Sequence, residues 1–95
     1  MVFDISKVGG IGEYEVKSEK NRKLFLKVEH VFLVLNSNTL EVRTDQKLGD
    51  LLQEKYESVM RSRYFGKNGV EIVPAGQLSD GEIEDLVRLS YNLTE

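Results

Sequence analysis

The apolar and polar positions of this chain change period along its length. From Glu13 to Lys17 they alternate, with Tyr14 and Val16 to one side and Glu13, Glu15 and Lys17 to the other. Period two is the mark of a half-buried strand. After the polar stretch "SEKNRK" the alternation resumes: Leu24, Leu26 and Val28 face one way, Lys23, Phe25 and Lys27 the other. Glu29–His30 then predicts a tight connection. Val31 to Leu35 is apolar throughout, as in a strand covered on both faces. "NSN" at Asn36–Asn38 suits positive φ angles and a hairpin. Leu40 and Val42, alternating with Glu41 and Arg43, predict the next strand. The stretch from Lys23 to Asp45 is therefore three strands of an antiparallel meander, with "EYEVK" a fourth.

Past Thr44 the period lengthens. Leu48, Leu51, Leu52, Tyr56 and Met60 recur at spacings of three and four, one face of a helix over about 45–60. Thr44 or Asp45 serves as its cap. Gly49 weakens this helix by up to ~1 kcal/mol relative to alanine, a cost that close packing on the sheet would justify. Asn68–Gly69 predicts a turn, and Val70, Ile72 and Val73 a strand. Ser79-Asp80-Gly81-Glu82 reads as a capping box, with Leu78 and Ile83 placed as a hydrophobic staple. Asp80 and Glu82 also suit the positive end of the helix dipole. Ile83, Leu86, Val87 and Tyr91 form the buried stripe of a closing helix over about 79–93. Strands, helix, strand, helix predict an α+β fold: an antiparallel sheet of four to five strands with two main helices packed on one face.

The chain has 95 residues, 40% hydrophobic and 31% charged, which predicts a single domain over 1–95 and a folded rather than disordered chain. It contains no cysteine, so no disulfide or thiolate metal site is available. The longest apolar run is far too short to span a bilayer. The N-terminus lacks the basic and apolar regions of a signal peptide, so a cytoplasmic protein without membrane contact is expected. "NLT" at Asn92–Thr94 matches a glycosylation sequon, which has no meaning without secretion.

Little here points to catalysis. The single histidine, His30, falls in a predicted turn, with no metal-ligand spacing around it. Ser90 lies on a helix with no base to activate it. Glu84 and Asp85 are adjacent on a helix and point apart. "GGIG" at Gly9–Gly12 lacks the pattern of a phosphate loop, and a strand follows it. The sequence thus predicts no enzyme, no cofactor and no metal site.

Charge changes the picture. The net value is −3, whereas a dedicated DNA-binding domain is usually basic. Its distribution is uneven, however. Lys17, Lys20, Arg22, Lys23 and Lys27 share their stretch with one acid, Glu19, and no acid separates Arg61, Arg63 and Lys67. The tail from Asp80 to Glu95 carries five acids and Arg88 alone. This permits a basic and an acidic face on one small body. Ordinary solvated charge accounts for the same pattern equally simply, as hairpin packing does for Tyr64 and Phe65.

From Leu24 to Leu93, about three-quarters of the chain, the order of elements resembles the MmcQ/YjbR family, predicted DNA-binding proteins with a double-wing fold. Three pieces carry the resemblance. "LFLKVEHVFLVLNSNTLEVRTD" is similar to the family's strand pair before a helix. "LGDLLQEKYESVMRSRYFGKNGVEIV" is similar to its helix, tyrosine-bearing wing and following strand, with Tyr64 and Lys67 on the wing. "LSDGEIEDLVRLSYNL" is similar to its closing helix, which ends in a Ser-Tyr pair, here Ser90–Tyr91. The chain departs from the family in lacking its first helix and its wing tryptophan. "LEVRTD" also looks like the strand before a helix in the N-terminal domain of TfoX-type regulators. Both likenesses imply a DNA-related role.

Together these features predict weak, largely sequence-independent binding of DNA or RNA. Lys20, Arg22, Lys23, Arg61, Arg63 and Lys67 would contact phosphates, and Tyr64 would stack on a base. Six such contacts predict a salt slope of roughly −4 to −5. The alternative is a protein-interaction module, using the acidic C-terminal helix or a sheet edge to dock a protein partner or form a homodimer.

Overall fold

A computed structural model describes residues 3–95 of the chain. One antiparallel sheet is built from β1 (Glu15–Ser18), β2 (Lys23–Lys27), β3 (His30–Leu35), β4 (Leu40–Arg43), β5 (Val59–Ser62) and β6 (Gly66–Ile72). Helix α1 (Gln46–Lys55) leads from β4 to β5, and α2 (Asp80–Leu93) closes the fold. The spatial order is β1-β2-β3-β4-β6-β5, so the sheet has six strands, not four to five. The meander runs as expected through β4. The chain then crosses by α1 to the far edge, and β6 returns between β4 and β5.

Both helices cover the same face. There Phe25, Leu33, Leu40, Val42, Val70 and Ile72 pack with Ile83, Val87 and Tyr91 of α2, and Leu52 of α1 joins them. The other face carries a smaller apolar cluster of Leu24, Val31 and Val34, flanked by Leu26 and Phe65. Phe25 and Leu24 are therefore both buried, on opposite faces, which alternation alone had split into core and solvent.

The first helix is shorter than its spacing suggests. It ends at Lys55, with Tyr56 as its C-cap. Met60 lies in β5, and Leu51 is 57% exposed instead of joining the buried stripe. The apolar spacing ran through the helix end because β5 begins with its own apolar residues. Asp45 caps α1 by accepting from the Leu48 N–H at 2.7 Å. Gly49 sits where a Cβ would meet Thr44 Oγ1 at 2.9 Å, so close packing does explain it. Two expected turns also move. Val28 and Glu29, with φ of 47° and 70°, make the β2–β3 connection, and His30 begins β3. Asn68–Gly69 lies within β6, while the β5–β6 turn is Arg63–Phe65.

The second helix follows its local signals. Ser79 Oγ accepts from the Glu82 N–H at 3.2 Å, and Glu82 Oε1 accepts from the Ser79 N–H at 3.0 Å. Leu78 and Ile83 are both buried beside this cap. Farther along, Ser90 reaches into the sheet itself. Its Oγ donates to the Phe32 carbonyl at 2.6 Å and accepts from the Arg43 N–H at 2.7 Å. By register Phe32 and Arg43 would be the next opposed pair of the β3–β4 ladder, after Leu33 and Val42. The serine hydroxyl bridges them instead.

Candidate functional site

The turn joining β1 and β2 and the turn joining β5 and β6 come together over the sheet face that the helices leave open. Between them lies a cleft of about 600 Å³ lined by Glu19, Lys20, Asn21 and Arg22 on one side and Arg63 and Tyr64 on the other, with Asn36 and Glu41. The Arg22 guanidinium stands 5.3 Å from the centre of the Tyr64 ring. Tyr64 meets Phe65 edge to face, and Phe65 receives the Arg43 guanidinium 4.8 Å from its own ring centre. Phe65 thereby anchors the second turn onto the lesser apolar cluster.

Four of the seven residues singled out from sequence thus meet: Lys20, Arg22, Arg63 and Tyr64. The other three do not join them. Lys23 shares a strand face with Phe25, on the helix side of the sheet, and lines an adjoining hollow with Phe3 and Ile5, which meets the cleft along the Lys20 and Arg22 turn. Arg61 is opposite Val70, so it too projects to the helix side, on the edge strand and not at a helix end. Lys67 is exposed on β6, outside the residues lining the cleft. Alternation explains Lys23 and Arg61, since neighbours in a strand point to opposite faces; Lys67 shares the parity of Glu71 but lies at the far end of β6 from it.

The cleft is not simply basic. Arg22 Nε donates to Glu19 Oε1 at 2.6 Å, and this bond holds the guanidinium above its ordinary pKa. Arg63 grips Glu71 with two N–H donors, at 2.9 and 2.7 Å, with the same consequence. Among the cations lining the cleft, only Lys20 has no carboxylate bonded to it among the described residues.

Below the two turns lie two carboxylates that sequence reasoning passed over. Glu41 is almost fully buried, yet it is surrounded by donors. Oε1 accepts from Ser62 Oγ at 2.8 Å and from the Tyr64 N–H at 2.9 Å, while Oε2 accepts from Asn36 Nδ2 at 2.8 Å. Burial pushes its pKa up, but the bonds from Asn36, the Tyr64 backbone and Ser62, with the nearby Arg63 charge, outweigh burial and hold it below the usual value. Glu71 accepts from Thr39 Oγ1 at 2.7 Å as well as from Arg63. A signal for this existed. The unbroken apolar run of Val31–Leu35 means that β3 is covered on both sides, so Glu41, one strand away, lies beneath cover too.

For chemistry, these groups offer hydrogen bonding and charge, not an activated nucleophile. His30 begins β3 near Arg43 and the chain's last residues, remote from the cleft lining. Ser90 spends its hydroxyl on the backbone of the sheet. Among the described residues, no three His, Cys, Asp or Glu side chains cluster as metal ligands. No helix among them is long and apolar enough to cross a membrane. Comparison with protein-family models, curated proteins and solved structures finds no match to this chain.

Proposed function

We propose that the protein is a binding module, not an enzyme, and that its cleft holds a single strand of nucleic acid weakly and with little regard to sequence. The observation that carries this reading is the convergence of the two turns, which places Arg22 over Tyr64 with Lys20 and Arg63 beside them. A base entering the cleft stacks on the Arg22–Tyr64 pair, and the cations meet the flanking phosphates. Stacking of this kind needs an unstacked base, which favours a single strand over a duplex. Glu19 and Glu71 compete with phosphate for the two arginines, which keeps the affinity low. With three cations in place of six, the salt slope falls to about −2, at about 0.7 per single-strand contact. The resemblance to the MmcQ/YjbR double-wing family and a cytoplasmic location belong to the same reading.

The test is a fluorescence titration with labelled oligothymidine and with a duplex, at low and at physiological salt. The wild type should bind the single strand more tightly at low salt. Tyr64→Ala and the Lys20→Ala/Arg22→Ala pair should each weaken binding, and only the pair should flatten the salt dependence. Absence of binding at low salt, or binding indifferent to these changes, overturns the reading. The competing one, protein contact through a sheet edge, is favoured by the open strand β1.

A further inference from the structure

The outer edge of β1 has a self-complementary pattern. All of Glu15–Ser18 is exposed, Val16 by 51%. Glu15 and Lys17 are opposite Leu26 and Leu24, and Val16 is opposite Phe25. The hydrogen-bond parity of the strand follows from its hairpin. The Glu19 N–H donates to the Arg22 carbonyl at 2.8 Å, in the same register as the β1–β2 ladder. Bonded and non-bonded pairs alternate in an antiparallel ladder. Glu15 and Lys17 therefore bond to β2, and the backbone N–H and C=O of Val16 and Ser18 point to the open edge.

A second copy adding antiparallel to this edge must present its own outward residues. Twofold pairing then allows registers centred on Glu15, Val16, Lys17 or Ser18. The first sets glutamate against glutamate, and the third sets lysine against lysine. The fourth sets Lys17 against Glu19, which Arg22 already holds, and runs the pairing into the β1–β2 turn. Only the register centred on Val16 makes Val16 exchange two hydrogen bonds with the Val16 of the second copy and sets each Glu15 against a Lys17. Those Glu–Lys positions are non-hydrogen-bonded pairs, where opposed Cα atoms come to ~4.5 Å and side chains are closest.

We propose that β1 is the interface through which two copies of this chain pair, antiparallel, with the twofold axis through Val16. The axis stands perpendicular to the sheet, so two sheets become one, both helix layers lie on one side and both clefts on the other. The opposite edge is not equivalent. β5 carries an irregularity between Arg61 and Ser62 and no acid to oppose Arg61, features that close an edge to pairing. A four-residue strand buries little surface, so the dimer is weak.

Sedimentation equilibrium from low micromolar to millimolar protein tests this, with a charge swap. The wild type should shift from monomer to dimer. Lys17→Glu and Glu15→Lys each turn two attractive pairs into two repulsive ones and should weaken association roughly tenfold, from the magnitude of cross-strand charge pairs. The double variant Glu15→Lys/Lys17→Glu should recover the wild-type constant. Val16→Pro, which removes a donor aimed at the edge and spares the β1–β2 ladder, should remain monomeric with an unchanged circular dichroism spectrum. A wild type monomeric at millimolar concentration, single reversals that associate normally, or a double variant that fails to recover would each overturn the proposal.

Discussion

Glu41 on β4 and Glu71 on β6 stand directly opposite one another, and both are buried. Like charges at opposed positions normally repel. Here each carboxylate has its own donors, and the pair is separated in function. Glu71 neutralises Arg63, while Glu41 accepts from Ser62 and from the backbone of Tyr64. The β5–β6 turn is held down onto the sheet by these bonds, so the cleft wall is built before any ligand arrives.

Glu41→Ala should therefore cost about 1–3 kcal/mol, the penalty for leaving a buried donor unsatisfied. Glu41→Gln should cost less, because Asn36 can turn its amide oxygen toward the new NH2 group. It then loses its bond to Thr39, which donates its own proton to Glu71. Chemical denaturation of both variants checks the order. The pH dependence has a definite sign. The folded-state pKa of Glu41 is lowered, so the stability it contributes is present above the unfolded value, about 4.3. It is lost as pH falls through the lower, folded value. Glu82, held down chiefly by its bonds with Ser79, acts in the same direction. Unfolding midpoints should be flat near neutrality and fall below the ordinary glutamate range, and Glu41→Gln should make that fall shallower.

Ser90→Ala removes the hydroxyl that links Phe32 and Arg43. Two backbone groups then lie unbonded in the core, and about 1–3 kcal/mol should be lost. Ser90→Thr retains the hydroxyl but adds a methyl group to a fully buried site; it should fall between the wild type and Ser90→Ala. Amide exchange of Arg43 should accelerate in Ser90→Ala more than that of Val42.

Period and cap residues show most of this fold in the sequence. The meander, α2 and its cap are all legible because each has a local cause. The sixth strand was hidden, since "VMRS" continues the helical spacing of α1 and so reads as the last turn of that helix. The convergence of Lys20 and Arg22 with Arg63 and Tyr64 was legible only as a condition, because strand order decides it. The exclusion of Lys23 was within reach, for alternation already placed it on the face of Phe25; that of Arg61 was not, because its strand β5 was hidden. Ser90 shows the limit: its hydroxyl is defined by a gap between two distant strands, and no local pattern announces that.

Ser79→Ala tests the local logic at the start of α2. Its Oγ satisfies the Glu82 N–H, so a loss of about 0.5–2 kcal/mol is expected. Ser79→Asp should restore most of it, since a carboxylate accepts the same bond and suits the helix dipole. Thermal unfolding of the two variants measures both.

Gly69→Ala joins the backbone of β6 to the cleft. A Cβ there would come within 2.5 Å of the Phe65 Cβ and 2.7 Å of the Val42 carbonyl oxygen. Phe65 must leave its seat under the Arg43 guanidinium, and the β4 and β6 backbones must part slightly at Val42, since moving Phe65 alone leaves the carbonyl contact. Overpacking of this kind costs about 1–3 kcal/mol. The turn bearing Tyr64 then loses its apolar anchor while its bonds to Glu41 remain. The expected result is a destabilised but folded protein in which Tyr64 is more exposed, read by tyrosine fluorescence quenching with iodide. If quenching is unchanged while stability falls, the bonds to Glu41 alone hold the turn, and Phe65 serves the core and not the cleft.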